Sequence, residues 1–213
     1  MLPPSARGRN DETKMKVVVI KYNAGNVQSV FFALERIGVK GILSDDPQEI
    51  RSADKIIFPG VGEAGSAMKC LKEKKLDSVI KILKQPTLGI CLGMQLMCKH
   101  SKERNTDCLN IFDLQVKKFP LSKGGEGVIK IPQIGWNNIF DLKGKLFEGV
   151  QENSFVYFVH SYYVENGKDS TATANYTLDF CAAMQKDNFY AVQFHPEKSS
   201  DIGQNILENF LKA

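Results

Sequence analysis

Residues 87–100 read TLGICLGMQLMCKH and contain the junction that decides the fold. The apolar run at 87–90 predicts a strand buried on both faces, and residues 92–100 predict a helix. Gly89 and Gly93 flank Cys91, which gives the form G-x-C-x-G. This form is the thiol version of the nucleophile elbow, a sharp strand-to-helix turn that holds its central residue in a strained backbone conformation. We therefore predict that Cys91 stands exposed above a sheet.

The chain before this junction alternates strand and helix signals. Short apolar, β-branched runs predict strands at residues 16–20, 39–43 and 55–58. Apolar residues at helical spacing predict a helix over 27–37 that ends at Gly38, and further helical stretches follow to about residue 84. This order predicts an α/β fold in three layers, with a mostly parallel central sheet and helices on both sides.

Short β-type segments dominate the chain after about residue 113. Turn signals separate the predicted strands, which lie at 114–119, 134–140, 154–163, 171–175, 180–185 and 189–194. We expect a partly antiparallel C-terminal region that continues the central sheet. Apolar residues on one face between 202 and 211 predict a final helix. We see no linker, so we expect one domain at 15–213, preceded by a polar segment, 1–14, that is a flexible extension or a remnant of cloning.

Composition is typical of an ordinary globular protein. The chain has 213 residues, 43% of them hydrophobic and 24% charged, with a formal net charge of only +4. That charge is too small and too dispersed to indicate nucleic acid or an acidic membrane as a partner. No apolar run approaches the roughly 18 residues of a membrane span. No signal peptide is recognisable, so the five cysteines are expected in a reducing cytoplasm, and their spacing predicts neither a disulfide framework nor a metal site.

His195 and Glu197 are the candidates for a base and for the group that orients it. His195 follows the last predicted strand, and Pro196 predicts a fixed turn in which the residue two positions on can face the imidazole ring. Glu197 would then accept a hydrogen bond and set the tautomer, as the third member of a catalytic triad. Cys91 would supply the nucleophile, and the N–H of Leu92 is placed to bind an oxyanion.

Each of these features has a plainer interpretation. Cys91 can be a buried cysteine between two packing glycines, and His195 can be a surface histidine beside a solvated Glu197. The remaining two histidines are weaker candidates for the base, because His100 is expected at a helix end and His160 near a strand end in a supporting role. An elbow cysteine combined with a histidine after a buried strand favours catalysis.

Three motifs together resemble the class I (triad) glutamine amidotransferases. They are PGVG at 59–62, CLGMQ at 91–95 and FHPEKS at 194–199. Within this family the chain is most similar to the glutaminase subunits of imidazole glycerol phosphate synthase, through YNAGN at 22–26, GWN at 135–137 and YFVHSY at 157–162. The resemblance covers about residues 15–213 and implies the family's three-layer, flavodoxin-like fold.

The resemblance implies a reaction and a partner. L-Glutamine would be hydrolysed to L-glutamate and ammonia without a metal or an organic cofactor. The ammonia would pass to a (β/α)8-barrel cyclase subunit in a heterodimer of histidine biosynthesis. Carried over by position, Cys91 is the nucleophile, His195 the acid and base, and Glu197 the orienting group. The backbone N–H groups of Val61 and Leu92 would form the oxyanion hole.

The resemblance also implies a glutamine-binding set and a partner face. The glutamine head group would be held by Gly62, Gln95, Glu103, Ser161 and Tyr162. The partner face would include Asn23, Asn26, Trp136, Tyr157 and Lys198. Lys21 and Gln133 depart from the residues that many family members carry, and both positions resemble partner-side loops. The glycine-rich loop at 59–62 can change conformation, so we expect low activity without the partner and its nucleotide ligand.

Two alternatives stay open at this point. Within the same chemistry, the chain can be the glutaminase of another amidotransferase such as anthranilate synthase, which Met94 and the Lys-Ser pair at 198–199 disfavour. From another class, it can be a non-catalytic regulatory subunit with the same fold, which the presence of Cys91, His195 and Glu197 disfavours.

Overall fold

The computed structural model describes residues 15–22, 27–120 and 130–213. The predicted extension at 1–14 lies outside the described residues. No helix within the described ranges is long and apolar enough to cross a membrane.

The N-terminal half of the described chain alternates strands and helices, as predicted. Its elements are β1 (Val17–Ile20), α1 (Gln28–Arg36), β2 (Gly41–Ser44), α2 (Pro47–Arg51), β3 (Lys55–Gly60), α3 (Ala64–Glu73), α4 (Leu76–Lys81), β4 (Thr87–Cys91) and α5 (Leu92–Met97). The short helix α2 is an addition to the predicted elements. Its start has two common signals, because Asp46 accepts a hydrogen bond from the N–H of Gln48 and Pro47 occupies the first turn.

Strands dominate the C-terminal half, and a helix closes it. The elements are β5 (His100–Ser101), β6 (Thr106–Asp107), β7 (Gln115–Lys118), β8 (Gln133–Ile139), β9 (Ser154–His160), β10 (Tyr162–Val164), β11 (Ser170–Asn175), β12 (Asp179–Lys186), β13 (Phe189–Val192) and α6 (Ser200–Lys212). Short 3-10 turns lie at Glu103–Asn105, Lys145–Phe147 and Pro196–Lys198.

The central sheet of the described residues has seven strands in the order β11-β12-β13-β4-β3-β1-β2. The run from β13 to β2 is parallel, and β11 and β12 add an antiparallel edge. The parallel part has the flavodoxin-like order. Alternate residues of β1 face opposite cores: Val18 packs with α2, α3, α4 and α5, whereas Val19 packs with α1 and α6. The predicted three-layer α/β fold is thus confirmed.

The C-terminal strands do not all continue this sheet, which corrects part of the prediction. β10, β7, β5 and β6 form a separate four-stranded sheet, and β8 pairs only with β9 among the described strands. The reason lies in burial. Val156 and Phe158 of the β8–β9 hairpin pack into the same core as α6, so the hairpin covers a face of the central sheet. It meets the edge strand β11 through an isolated backbone bridge between Phe140, directly after β8, and Thr173.

The helix predicted over 92–100 is shorter in the structure. It ends at Met97, because Ile111 and Phe112 donate backbone hydrogen bonds to the Met97 carbonyl over 2.9 and 3.0 Å. His100 therefore lies on β5, where its Nε2 is 3.1 Å from Asn105 Oδ1. The predicted position of His100 at a helix end is wrong.

Candidate active site

Cys91 lies where β4 ends and α5 begins. Its backbone angles are φ 53° and ψ −108°, a combination that L-residues rarely adopt. Close packing behind the turn explains both flanking glycines. A Cβ atom on Gly93 would lie 1.9 Å from the backbone oxygen of Phe58, and one on Gly89 would lie 2.8 Å from Met97 Sδ. The structure thus contains the predicted strained turn, and the turn carries the thiol to the carboxyl edge of the sheet. The prediction that Cys91 stands exposed is wrong, because Val159 and Gln193 contact its sulfur and leave the residue only 7% exposed.

Gly93→Ala is expected to destabilise this turn. The added methyl group would meet Phe58 O, a backbone atom that cannot rotate away, so β3 and α5 would have to separate. We expect the free energy of unfolding to fall by about 3 kcal/mol, measured by chemical denaturation. Gly65→Ala is the matched control, because its nearest atom is the mobile end of the Glu63 side chain. Equal stability of Gly93→Ala and the parent would contradict the packing argument.

His195 and Glu197 form the second part of the site. The ring Nδ1 of His195 donates to Glu197 Oε1 over 2.7 Å, and both side chains are 5% exposed. The 3-10 turn at Pro196–Lys198 explains how residues two positions apart face each other. The other oxygen of Glu197 is buried without a hydrogen-bond partner among the described residues. The imidazole ring is therefore the main group that balances the charge of this carboxylate.

The neighbours of His195 set its protonation. Burial favours the neutral ring and by itself lowers the pKa of His195. Hydrogen bonds with Cys91 and with Glu197 act in the opposite direction and prevail, so the pKa of His195 rises to about 10. A protonated imidazole beside a cysteine favours the thiolate, which is the nucleophilic form.

Ser199 supports this histidine, a role that the sequence analysis does not assign to it. Its Oγ donates to the carbonyl of His195 over 2.6 Å and accepts from the N–H of Tyr157 over 3.0 Å. The N–H of His195 also donates to the Tyr157 carbonyl over 2.9 Å. The histidine backbone is thus tied to β9. The available sequence signal, a serine directly before a helix, indicates a helix start and nothing more.

A cleft of about 290 Å³ opens at these residues. Its lining contains two of the three predicted triad members, Cys91 and His195, and every residue predicted for the oxyanion hole and for glutamine. The full lining is Val61, Gly62, Cys91, Leu92, Gln95, Glu103, Pro132, Val159, His160, Ser161, Tyr162, His195 and Lys198. Glu197 lies behind His195. Lys198, predicted for the partner face, is exposed and also lines the cleft. No cluster of side chains suited to a metal ion occurs in the described ranges.

The two predicted oxyanion donors emerge at the same edge of the sheet. β3 and β4 are parallel neighbours, and Gly60 is paired with Cys91 at their ends. Val61 and Leu92 follow directly after these two strands, and both line the cleft. Their backbone N–H groups are therefore candidates to bind one developing negative charge beside the thiol.

Tyr22 anchors the start of the loop that carries Val61. Its Oη donates to the carbonyl of Pro59 over 2.7 Å, and the ring is buried. A Cβ atom on Gly60 would lie 2.6 Å from this Oη, so the close approach requires glycine. Gly62 follows with φ 104°, a conformation that also favours glycine.

Gln95 and Glu103 present acceptor oxygens to the cleft. Gln95 Nε2 donates to the carbonyl of Tyr162 over 3.1 Å and to Gln193 Oε1 over 2.9 Å. Both amide hydrogens are used, so Gln95 Oε1 remains available as an acceptor. Glu103 Oε2 accepts from the N–H of Ala64 over 2.8 Å. Burial raises the pKa of Glu103, and the bond from Ala64 opposes this shift.

His160 supports the wall of the cleft in its neutral form. Burial lowers the pKa of His160 to about 4. Its Nδ1 donates to the Tyr162 carbonyl over 2.7 Å, which leaves Nε2 as an acceptor. Gln133 Oε1 lies 3.0 Å from Nε2, and because both atoms are acceptors in this tautomer, pairing requires the amide to turn so that its NH2 group faces the ring. This arrangement agrees with the supporting role expected for His160.

The structure gives different results for the two residues that depart from the family pattern, Lys21 and Gln133, and for the partner-face positions near the N-terminus. Asn23 and Asn26 lie outside the described residues and stay predictions. Lys21 is exposed directly after β1. Gln133 was expected on a partner-side loop, and this expectation is wrong. It is 3% exposed on β8, because it fills the space beside His160.

The β8–β9 hairpin exposes an apolar surface. Trp136 and Tyr157 are paired across the hairpin, and their rings meet edge to face with centroids 6.0 Å apart. Trp136 is 54% exposed, and Ile134 and Phe155 are 62% and 58% exposed. Ile134 and Phe155 were not predicted for the partner face, although the alternation of Ile134 and Trp136 along one strand was a usable signal.

Comparison with known proteins first defines the class of this chain. The family model described as "Glutamine amidotransferase class-I" matches residues 15–213, so the chain belongs to this family. Two solved structures share its fold. A protein of Thermoplasma acidophilum whose structure is described as a GMP synthase component has a TM-score of 0.70 at 21% identity, with 93% of each chain covered. A glutamine amidotransferase from Thermotoga maritima has a TM-score of 0.62 at 16% identity, with 91% of this chain and 81% of that chain covered.

More similar relatives narrow the comparison within the family. A protein of Bacteroides thetaiotaomicron is 55% identical over 197 residues, which are 92% of this chain and 99% of that protein. A protein of Haemophilus influenzae is 43% identical over 199 residues, which are 93% of this chain and 98% of that protein. Both are named imidazole glycerol phosphate synthase subunit HisH.

Proposed function

We propose that this chain is the glutaminase subunit of an imidazole glycerol phosphate synthase and hydrolyses L-glutamine to L-glutamate and ammonia. The observation that carries the proposal is one cleft in which Cys91 meets the buried pair of His195 and Glu197. The names of the similar relatives support this particular synthase over anthranilate synthase. The complete set of three side chains supports an enzyme over a regulatory subunit.

The first step is attack of the Cys91 thiolate on the side-chain amide carbon of glutamine. A carbon–sulfur bond forms, and the carbonyl oxygen becomes an oxyanion beside the N–H groups of Val61 and Leu92. Each such donor contributes on the order of 3 kcal/mol to lowering the barrier. The imidazolium of His195 then gives its proton to the amide nitrogen, the carbon–nitrogen bond breaks, and ammonia leaves.

The second step returns the enzyme to its starting state. The neutral ring of His195 takes a proton from water, and the resulting hydroxide attacks the γ-glutamyl thioester. A second oxyanion forms in the same position, and its collapse releases glutamate and restores the thiolate. Glu197 keeps the ring oriented throughout, because its Oε1 holds the Nδ1 proton and thereby directs Nε2 toward the sulfur.

The head group of glutamine would bind at the end of the cleft formed by Gln95 and Glu103. The α-ammonium group has only donors, and the free oxygens of these two side chains are acceptors. The carbonyl oxygens of Ser161 and Tyr162 already accept hydrogen bonds from the protein. These two residues, with Gly62, would therefore contribute backbone N–H groups to the α-carboxylate.

The apolar hairpin surface would be part of the contact with a (β/α)8-barrel cyclase. Large exposed aromatic and aliphatic side chains such as Trp136 and Phe155 are typical anchors of protein interfaces. Lys198 lines the cleft, so a partner bound to both regions would cover the open side of the cleft. The five cysteines are free, which supports the cytoplasm as the compartment of this enzyme.

Ammonia release from glutamine, with and without the cyclase and its nucleotide ligand, tests this proposal. We expect turnover of the isolated chain to be low and to rise on the order of tenfold or more in the ligand-bound complex, since the loop at 59–62 can change conformation. Trp136→Ala should reduce this stimulation by weakening partner binding. Ile82→Ala, which shortens an equally exposed apolar residue outside the hairpin, is the control. Comparable turnover with and without cyclase would refute activation by the partner.

A further inference from the structure

Gln193 is a fully buried amide next to the nucleophile. It follows β13 and is 0% exposed. Its Nε2 donates to Cys91 Sγ over 3.7 Å, and its Oε1 accepts from Gln95 Nε2 over 2.9 Å. A buried amide without partners costs several kcal/mol, so these two contacts account for the presence of a polar side chain here.

The backbone carbonyl of Tyr162, at one end of this series of hydrogen bonds, fixes the direction of the others. The carbonyl of Tyr162 can only accept, and it accepts from Gln95 Nε2 and from His160 Nδ1. Gln95 must therefore direct its NH2 group inward, and its second hydrogen meets Gln193 Oε1. With its oxygen held in this way, Gln193 has to turn its own NH2 group toward the sulfur of Cys91.

The sulfur has two other neighbours besides Gln193, the ring of His195, whose positive charge favours the anion, and a backbone carbonyl. The carbonyl of Val159 lies 3.7 Å from Cys91 Sγ and can accept a hydrogen bond from a thiol. Once the proton is lost, this oxygen repels the negative charge, whereas the amide of Gln193 still donates. A donor with a fixed direction would hold the anionic sulfur in place during attack.

We propose that Gln193 is a positioning residue whose amide, oriented by Gln95, directs the sulfur of Cys91 and stabilises its anionic form. The proposal rests on the proposed glutaminase function. It differs from a purely structural role in one respect. A structural role affects folding stability, whereas the proposed role changes the pH dependence of the reactivity of the sulfur.

The test is the rate of alkylation of Cys91 by iodoacetamide as a function of pH, followed by peptide mapping. Gln193→Met keeps the length of the side chain and removes the donor. Below the pH at which the sulfur of the parent ionises, we expect alkylation to slow roughly tenfold, because a hydrogen bond to a charged group is lost. The rise of the rate with pH should move upward by about one unit, with little change at high pH. The kcat for glutamine should fall more than KM changes.

A second variant and a control separate this effect from misfolding. Gln193→Glu still accepts from Gln95 but turns an oxygen toward the sulfur, so we expect a larger upward shift than for Gln193→Met. Gln85→Met removes a half-buried amide that donates to the Ile50 carbonyl outside the cleft, and it should leave the profile unchanged. If neither Gln193 variant folds, ¹⁵N spectra of the parent decide, because a glutamine side-chain amide signal should move over the same pH range as alkylation.

Two outcomes would overturn the inference. One is an alkylation profile and kcat of folded Gln193 variants that equal those of the parent. The other is the absence of any titrating glutamine amide signal in the parent. Ammonia release by the parent in complex with the cyclase distinguishes the two proposals. A parent that is inactive there contradicts the glutaminase function, whereas an active parent with unchanged variants contradicts the role of Gln193 alone.

Discussion

Cys91→Ala is expected to reduce glutamine hydrolysis on the order of a millionfold, the size of effect seen when a nucleophile is removed from a triad. Without the sulfur no thioester can form, and the two oxyanion donors have no tetrahedral intermediate to stabilise. The fold should persist. Alanine keeps the Cβ atom and so meets the same backbone strain as cysteine, and the contacts of the sulfur with Val159 and Gln193 are long, at 3.7 Å. Glutamate formation in the presence of the cyclase measures the loss.

Two controls separate this loss from general damage. Cys70→Ala makes the same chemical change at a half-buried cysteine outside the cleft, and it should retain full turnover. An electrophilic glutamine analogue should label the parent at Cys91 and leave the Cys91→Ala variant unlabelled. Glutaminase activity in a folded Cys91→Ala variant would show that another group is the nucleophile. A folded, partner-binding parent without an adduct at Cys91 would favour a regulatory subunit.

The parts of the fold that could be predicted are those in which local pattern and burial agree. The run at 87–90 is apolar on both faces, and β4 is buried on both faces. The end of α5 could not be predicted in this way. Met97 ends the helix because residues 111 and 112 take its carbonyl, and no local signal marks a partner fourteen residues away. The pairing of β8 with β9 was not predicted for the same reason, because the sequence pattern of a strand does not show which strand lies next to it.

Some residues of the candidate site could be predicted from the sequence, and others could not. Cys91, His195 and Glu197 could be proposed because their residue types and spacing are recognisable within short segments of the sequence. Gln95 was predicted from the resemblance to the family. The resemblance implies a role in binding substrate, but it does not reveal the hydrogen bond between Gln95 and Gln193. Within an apolar strand end, Gln193 carries no sequence signal beyond being polar. Its direction depends on contacts between residues 67 to 102 positions apart in the chain, which sequence spacing does not reveal.

Glu197→Gln is expected to lower kcat by about 10⁴-fold, the loss that follows when the carboxylate of a related triad is replaced by an amide. In the parent, Glu197 Oε1 accepts the Nδ1 proton of His195 over 2.7 Å, so Nε2 exchanges protons with the sulfur and the substrate. An amide can present its NH2 group instead, which would place the ring proton on Nε2. Even with the correct tautomer, an amide lacks the charge that stabilises the imidazolium. Turnover in the cyclase complex measures the effect.

The pH dependence separates loss of this charge from loss of packing. Contacts with Cys91 and Glu197 raise the pKa of His195 from 6.5 to about 10. A raised pKa stabilises the folded protein below pH 6.5, and this contribution is lost as the pH rises toward 10. In Glu197→Gln the shift is smaller, so the decline of Tm over this range should be shallower and end at a lower pH. The alkaline limb of the turnover profile should also move to lower pH, since the ring must be protonated to release ammonia.

Glu208→Gln is the matched control for this change, because Glu208 lies on α6 and pairs with Gln204 outside the cleft. It should leave both pH profiles unaltered. If Glu197→Gln keeps the alkaline limb of the parent while turnover still falls, the carboxylate acts on the geometry of His195 and not on its charge. If turnover is also unchanged, the buried pair is a packing feature, and the proton donor for ammonia must be sought elsewhere in the cleft. A shift of the limb together with the loss of kcat is the result that a working triad requires.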